Sequence, residues 1–518
     1  MAQTNLQTAM IDTATSAADW VIVLPIVLFL MGAALSLVLR KRGTLVFGIA
    51  VAVLLAVIAC EVSLLLRVYQ DGPLSMTMGN WLPPFGIALA ADAFGASFAL
   101  AASVAGLIVL LYAQGERGRV ADDGFHALLL LLMAGVTGSF LTGDLFNLYV
   151  WFEVMLISSF GLIVLGGRPV QLDAAVKYGF LNFLATTFFL LSLGLIYGML
   201  GTLNMADILR VAPSANPAAM AGVAALLLLA FGMKAAAFPV NAWLPAAYHA
   251  PPAAISAIFA GLLTKVGVYA LLRSLVVILP ASRDLLEPVL VFVALGTLVL
   301  SPLGAIAETN LRRAIGFFVI GGVGAVMVGI ALPSLEGVTG AGLYIVHAML
   351  TITALYLVVG QIENYTGETD TRRMGGIYGS SSILSIAFFV LVLASAGVPP
   401  FLGFWPKLAL LQAGFAQGNW AGNALAIALL VNAVLTLIAG TRIWAHVFWR
   451  PVPDELEGSA ARKITPKTSF AAVAALVVLV LAMGLWPNAL FAVVGSGASD
   501  IVDPQRYVDA IGLAGAPV

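Results

Sequence analysis

Residues Leu226 to Leu272 read LLLLAFGMKAAAFPVNAWLPAAYHAPPAAISAIFAGLLTKVGVYALL, and their reading decides the fold. Two apolar runs each enclose a lysine, Lys234 and Lys265, and Phe238-Pro239 breaks the first run about a turn past its lysine. An ammonium at bilayer depth costs roughly 3 kcal/mol on insertion scales, so a chain that keeps two of them there uses them. Pro239 has no N–H, so the carbonyl of Ala235 loses its helical partner at a depth where open backbone is tolerated only beside protein or water. Two lysines around a broken helix imply a polar path through a membrane. The competing explanation is snorkelling to the nearer interface. Apolar residues on both sides of each lysine argue against it.

Of the 518 residues, 61% are hydrophobic and 9% charged, and the mean hydropathy is +1.05. That composition excludes a soluble globular enzyme and fits a polytopic membrane protein. A net charge of -1 offers no basic face to nucleic acid. One cysteine, Cys60, excludes an internal disulfide framework and a cysteine-rich cluster. No Lys or Arg precedes Trp20, so the basic n-region of a signal peptide is missing and the first span is expected to be retained.

Outward from the quoted stretch, apolar runs long enough to span define about fourteen helices. Six come first: Trp20 to Leu39, Val46 to Val68, Ile87 to Tyr112, Phe125 to Thr142, Leu145 to Leu165 and Ala174 to Leu200. The seventh and eighth are Ala219 to Pro239 and Ala253 to Leu272. Leu285 to Ala307, Leu311 to Leu332, Ala341 to Gln361, Ile383 to Phe415, Gly422 to Val447 and Ser469 to Val494 follow. With the N-terminus outside, inside loops and ends carry about three times as many Lys and Arg as outside ones. The inside set includes Arg40, Lys41, Arg42, Arg117, Arg119, Arg312, Arg313, Arg462 and Lys463; the outside set is Arg67, Arg210, Arg273, Arg283 and Arg506. The positive-inside rule therefore expects both termini outside.

The twelfth run repeats the pattern of the seventh. In ASAGVPPFLGFWPKLALLQAGF, Pro399, Pro400 and Pro406 release the carbonyls of Ser395, Ala396 and Leu402, and Lys407 follows at once. Two broken helices five spans apart are the mark of an internal five-helix repeat, inverted because five is odd. The chain is thus expected to be an all-α polytopic membrane protein with two inverted repeats, helices four to eight and nine to thirteen. The expected units are residues 1–124 with the first three helices, 125–272 and 285–447 for the repeats, and 448–518 for a loop, the fourteenth helix and a short tail.

The fifth run, GDLFNLYVWFEVMLISSFGLIVL, supplies a carboxylate: Glu153 lies nine residues beyond Asp144, roughly 13 Å deeper, near mid-membrane and in need of a partner. A neutral glutamic acid making one structural hydrogen bond is the plainer alternative. Asp144 reads as an interfacial residue; Glu61 and Asp92 as groups solvated near helix ends; Arg442 as a snorkelling one. Lys177 opens the sixth helix and either snorkels or joins Glu153. His347 lies deep in the eleventh run, where an unperturbed pKa near 6.5 suits proton relay. His249 sits in the turn after the seventh run, as an entrance residue on the inside; His126 and His446 read as interfacial.

These residues, with AETNLRRAIGFFVIGGVG and GVPPFLGFWPK, resemble the proton-translocating antiporter-like subunits shared by respiratory complex I and the Mrp (Pha, Mnh) multisubunit cation/proton antiporters. The resemblance spans helices four to thirteen. GNWLPPFGIALAADAFGASF and the short tail resemble the D-type subunit of the Mrp complexes. The resemblance implies Glu153 as the fifth-helix carboxylate, Lys234 as its partner, Lys265 as connector and Lys407 as terminal lysine. It also implies partner subunits of the A, B, C, E, F and G types, protons with Na+ or K+ as cargo, and the bacterial inner membrane as the site. In one respect the sequence departs: many relatives carry a lysine five residues after the eleventh-helix histidine, and here that residue is Ile352. The centre of the path must then run through His347, Tyr344, Thr351 or water, or be interrupted.

The expected function is a subunit of a Na+(K+)/H+ antiporter, a secondary transporter with no cofactor and no metal-chelating motif. The alternative is a proton-pumping membrane subunit of a complex I-like NADH dehydrogenase or a membrane-bound hydrogenase, which co-purifying iron-sulfur or quinone-reducing subunits would favour. A purely structural role is disfavoured, because a scaffold holds leucine at those depths at lower cost than lysine.

Overall fold

A computed structural model of the chain describes residues 16–116 apart from 82 and 84, 124–451 and 467–512. Leu82 and Pro84 of the third-span motif, Arg117, Arg119, Arg462 and Lys463 of the charge count, and both extreme ends of the chain lie outside the described residues. Eleven described helices are long and apolar enough to cross a membrane, and shorter apolar ones complete the set.

In chain order the spans are α1 (Leu24–Val38), α2 (Gly43–Asp71), α3 (Ala93–Ala113), α4 (Phe125–Leu141), α5 (Leu145–Val164) and α6 (Pro169–Leu200). The seventh, α7, is interrupted: Pro217–Ala235, then Trp243–Tyr248. After it come α8 (Ala253–Ile278), α9 (Glu287–Ala307), α10 (Leu311–Ala331) and α11 (Leu335–Thr366). A second interrupted helix, α12 (Ser382–Ala396, then Phe404–Ala416), precedes α13 (Trp420–Trp444), α14 (Lys467–Leu485) and α15 (Asn488–Val502). The run expected as one last span is two helices, because Pro487 cannot continue α14. The third run also begins differently from expectation: Ala88–Ala91 is a short strand, β2, antiparallel to β1 (Leu74–Thr77), and Asp92 caps α3 by accepting from Gly95 N at 2.7 Å.

The core lies where helices are apolar all round. Every residue in the most apolar stretch of α8 and of α11 is buried, as is almost all of α10, whereas α2 and α6 turn most of their surface outward. Polar N-caps start these helices: Asp144, Asn310 and Ser334 each accept a backbone N–H of the first turn, satisfying donors that lipid could not.

The two repeats show in matched backbone contacts. Asp144 bridges Asn204 at the head of α5, and Asn310 bridges Asp370 at the head of α10, with equal sequence separation. Leu145 N donates to Leu203 O and Leu311 N to Thr369 O, both at 2.9 Å. Helices α6 and α11 are both 32 residues long and carry Tyr178 and Tyr344 at the same place. Both breaks open on a left-handed residue, Ala236 (φ 60) and Gly397 (φ 86), followed two positions later by a cis bond, Phe238-Pro239 and Pro399-Pro400. Both also close with the same paired bonds: Ala237 N to Gly232 O with Ala236 N to Met233 O, and Val398 N to Leu393 O with Gly397 N to Ala394 O.

Candidate functional site

Lys234 lies in the last turn before the first break, 6% exposed. Its ammonium faces the Phe152 ring, 4.8 Å from the centroid. Phe152 precedes Glu153, so α5 brings both toward α7. Glu153 is half-buried, and its charge acts on Lys234, but no ion pair joins the two among the described residues. Phe152, Met155, Tyr178, Asn182, Lys234, Trp243 and Tyr248 line a small cavity at this point. Trp243 Nε1 donates to Met233 O at 3.0 Å, which takes up a carbonyl at the break, and Tyr178 shares a 2.7 Å hydrogen bond with Ser159.

Lys265 is buried in α8 just past a π-helical turn, Phe259–Leu263. It donates to Ala260 O inside that turn at 2.7 Å and to Thr264 Oγ1 at 3.2 Å. Helix α11 passes alongside with His347, whose Nδ1 shares a 3.1 Å bond with Thr351 Oγ1 and whose ring meets Tyr344 edge-on at 5.3 Å. The charges of both Lys265 and Lys407 act on this ring. A Cβ at Gly403 would lie 2.9 Å from His347 Nε2, so the second break presses directly on the imidazole. Lys407 completes the set: Nζ donates to Ala396 O at 2.8 Å and Ser395 O at 3.3 Å, two of the carbonyls that Pro399 and Pro400 release. Tyr344, His347, Ile352, Ser395, Asn432 and Thr436 line a second small cavity. Ile352 thus stands at the cavity with an apolar side chain in place of the lysine that the resemblance implies.

The repeat register separates the lysines. Lys234 stands two residues before the left-handed Ala236, and Ser395 holds that position before Gly397; Lys407 lies beyond its break, where the first repeat has Ala246. Val319 and Asn432 occupy the positions of Glu153 and Lys265. The resemblance between the two breaks is therefore one of backbone, with a lysine on opposite sides.

Other expected residues fall elsewhere. Lys177 is exposed on α6 and pairs with Asp173 at 2.6 Å, away from the cavity that its neighbour Tyr178 lines. Asp144 is buried as the cap of α5. His249 is half-buried, its Nδ1 3.1 Å from Pro245 O. Glu61 and Asp92 correct the sequence reading: both are fully buried. Glu61 accepts from Thr137 Oγ1 at 3.4 Å, and Asp92 forms a buried ion pair with Arg273, which the charge count places in an outside loop. Arg312, counted at an inside end, is likewise buried and paired with Glu363. Near helix ends, other helices replace water as the partner of these groups. Sequence reasoning does not reach Phe152, Tyr178 or the Asp92–Arg273 pair; the last has a signal, since Tyr269 and Arg273 follow Lys265 at helical spacing.

Residues 142–436 match the family described as NADH:quinone oxidoreductase/Mrp antiporter, TM. The chain is 34% identical over 492 residues to the D-type subunit of the Na(+)/H(+) antiporter of Bacillus subtilis (strain 168), covering 95% of this chain and 99% of that one. It is 34% identical over 501 residues to the protein of the same name from Alkalihalophilus pseudofirmus, again over 95% and 99%. A chain of the Mrp complex from Dietzia sp. DQ12-45-1b superposes with a TM-score of 0.88 at 29% identity, covering 96% of this chain and all of that one. A chain of respiratory complex I from Thermus thermophilus shares the fold, with a TM-score of 0.79 at 21% identity over 94% and 99%.

Proposed function

Because this chain belongs to the NADH:quinone oxidoreductase/Mrp antiporter transmembrane family, we propose that it works as the D-type subunit of a multisubunit Na+(K+)/H+ antiporter in the bacterial inner membrane. The observation that carries the mechanism is the row of buried titratable groups along the core: Lys234, Lys265, His347 and Lys407. Each lysine is held by a neutral partner, a phenyl ring, a hydroxyl or a backbone carbonyl. A carboxylate in contact would lock a lysine as its ammonium; neutral partners leave both forms usable.

Glu153 is the variable in this arrangement. When it is ionised it favours a charged Lys234, and when it takes a proton that support is withdrawn. Lys234 then yields its proton toward Lys265, and His347 links Lys265 to Lys407 past the Ile352 gap. Exchange follows if the cation favours one state of the Glu153–Lys234 unit and the proton the other, since a ligand shifts an equilibrium only by its differential affinity. Partner subunits of the A, B, C, E, F and G types complete the complex.

The test is exchange in everted vesicles carrying the whole complex. Glu153→Ala and Lys234→Ala each abolish it, and the double variant is no worse than either, because the two act as one unit. Near-wild-type exchange in either single variant refutes the assignment. Complex I-like iron-sulfur subunits purifying with the chain would instead favour a redox-driven pump.

A further inference from the structure

Beyond Lys265, α8 continues as a buried polar stripe. Tyr269 and Arg273 follow Lys265 one and two turns on, on the same face, and all three are at most 3% exposed. Tyr269 Oη donates to Phe140 O at 3.1 Å and accepts from Arg273 Nε at 3.0 Å. The Arg273 guanidinium pairs with Asp92 of α3 and lies 5.0 Å from the centre of the Tyr507 ring, in the short helix Gln505–Ala510. Its Nη1 is buried without a partner, a donor that a water in a path would satisfy. Asp500 of α15, 2% exposed, feels the charges of Asp92 and Arg273 and pairs at 3.2 Å with Arg506, whose side chain is more than half exposed. Asp144 closes the cluster from the head of α5, its charge acting on Tyr507, and Asp503 faces Asp500 from the surface.

Hydrophobic residues would seal this end of the molecule at lower cost than three buried carboxylates, a buried guanidinium and two phenols. The groups instead cluster between mid-helix and a wet surface, and in this structure the Tyr507 hydroxyl donates to Met205 Sδ at 3.9 Å. We propose that this cluster is a proton gate between Lys265 and the face that carries the C-terminal helix, with Tyr269, Tyr507 and Asp500 passing the proton and the Arg273–Asp92 pair positioning the two tyrosines. It rests on the proposed path through Lys265.

In this structure Lys265 donates away from the gate, to Ala260 and Thr264. Turning its ammonium toward Tyr269 connects it with the gate through a bridging water. That water takes a proton from the ammonium, leaving the amine. Each hydroxyl then gains one proton on its oxygen as it releases its own, and the Asp500 carboxylate receives the proton and returns it to solvent beside Arg506. Only N–H and O–H bonds form and break.

The experiment places Asp500→Asn, Tyr507→Phe, Arg273→Lys and Arg273→Leu in the whole complex, beside Lys265→Ala, and follows Na+-driven proton movement in vesicles of both orientations. Assembly is checked by native gel. Tyr507→Phe keeps the ring against Arg273 and decides the matter if Asp500→Asn disturbs assembly. Both are expected to assemble and to slow exchange about a hundredfold or more, the size of a lost proton-transfer group. The loss should vary with pH on the side of the C-terminal helix and not with pH on the other side. Arg273→Lys should keep part of the rate that Arg273→Leu loses. Wild-type rates in Asp500→Asn and Tyr507→Phe, with Lys265→Ala inactive, overturn the gate and leave the path standing. A fall that ignores which side is titrated makes the cluster a structural clamp and also overturns it. Normal exchange in Lys265→Ala removes the path itself.

Discussion

His347 is the residue on which the central path turns, because no lysine or carboxylate lines its cavity. One turn on, Thr351 fixes its Nδ1; Gly403 crowds the other side of the ring; and Ile352, where the resemblance implies a lysine, lines the same cavity. His347→Ala is expected to slow exchange strongly, and Ile352→Lys in that background to restore part of it by supplying a new protonatable group. Normal transport by His347→Ala across the pH range would pass the relay to water and hydroxyls. His249, outside the spans, offers a pH test of a different kind. Burial first, then the charges of Arg313, Arg312 and Lys177, hold its imidazole below the usual histidine range against the contact with Pro245 O. A lowered histidine pKa means that the folded chain binds fewer protons than the unfolded one. Stability is then lost as pH falls from the unfolded value near 6.5 toward the folded one. His249→Gln should therefore flatten the acid side of the complex's thermal-unfolding profile and leave the alkaline side unchanged; an unaltered acid slope would show the residue to be uncoupled.

Helix breaks are legible as elements because proline announces them. Pro239, Pro399 and Pro400 mark both interruptions, and the released carbonyls of Ser395 and Ala396 are the ones that Lys407 takes. The geometry of the turn is not legible, since alanine gives no sign of a left-handed conformation. Yet Ala236 has φ 60 where the second repeat has Gly397 at φ 86. An L-residue there costs roughly 1–2 kcal/mol, partly offset by the greater freedom that glycine gives the unfolded chain. Ala236→Gly should thus raise the thermal midpoint slightly. Gly397→Ala should lower it, and exchange with it, because the new methyl group would meet Lys407 Cδ at 2.6 Å and displace the lysine from its carbonyls. Shifts of the same sign would dissociate the two turns. The lysine order is legible, Lys234 before its proline and Lys407 after its prolines, and the backbone match fixes the register between the two breaks.

At the scale of the molecule, apolar run length locates the spans, and two breaks five spans apart give the repeat. What it cannot give is the burial of charges near helix ends. Asp92, Arg273 and Arg312 read as wet because they sit close to the ends of apolar runs, and neighbouring helices cover all three. Removing Arg273 and Arg312 from the loop tally takes one residue from each side, so the excess of positive charge on one face survives. The structure adds an independent constraint. Asp19, near the start of the described chain, pairs at 3.1 Å with Arg67 near the end of α2, and Arg506 of the last helix lies against Gly72 at that same end. The first and last described segments thus share one face. The positive-inside rule predicts that this is the outer face. Labels attached ahead of Asp19 and beyond Arg506 should both be reached from the periplasm in intact cells, and a label in the loop between α13 and α14 only after the membrane is opened. Labelling of the two ends from the cytoplasmic side alone would invert the topology and with it the direction of the proposed gate, whereas labelling of the ends from opposite sides contradicts the shared face itself.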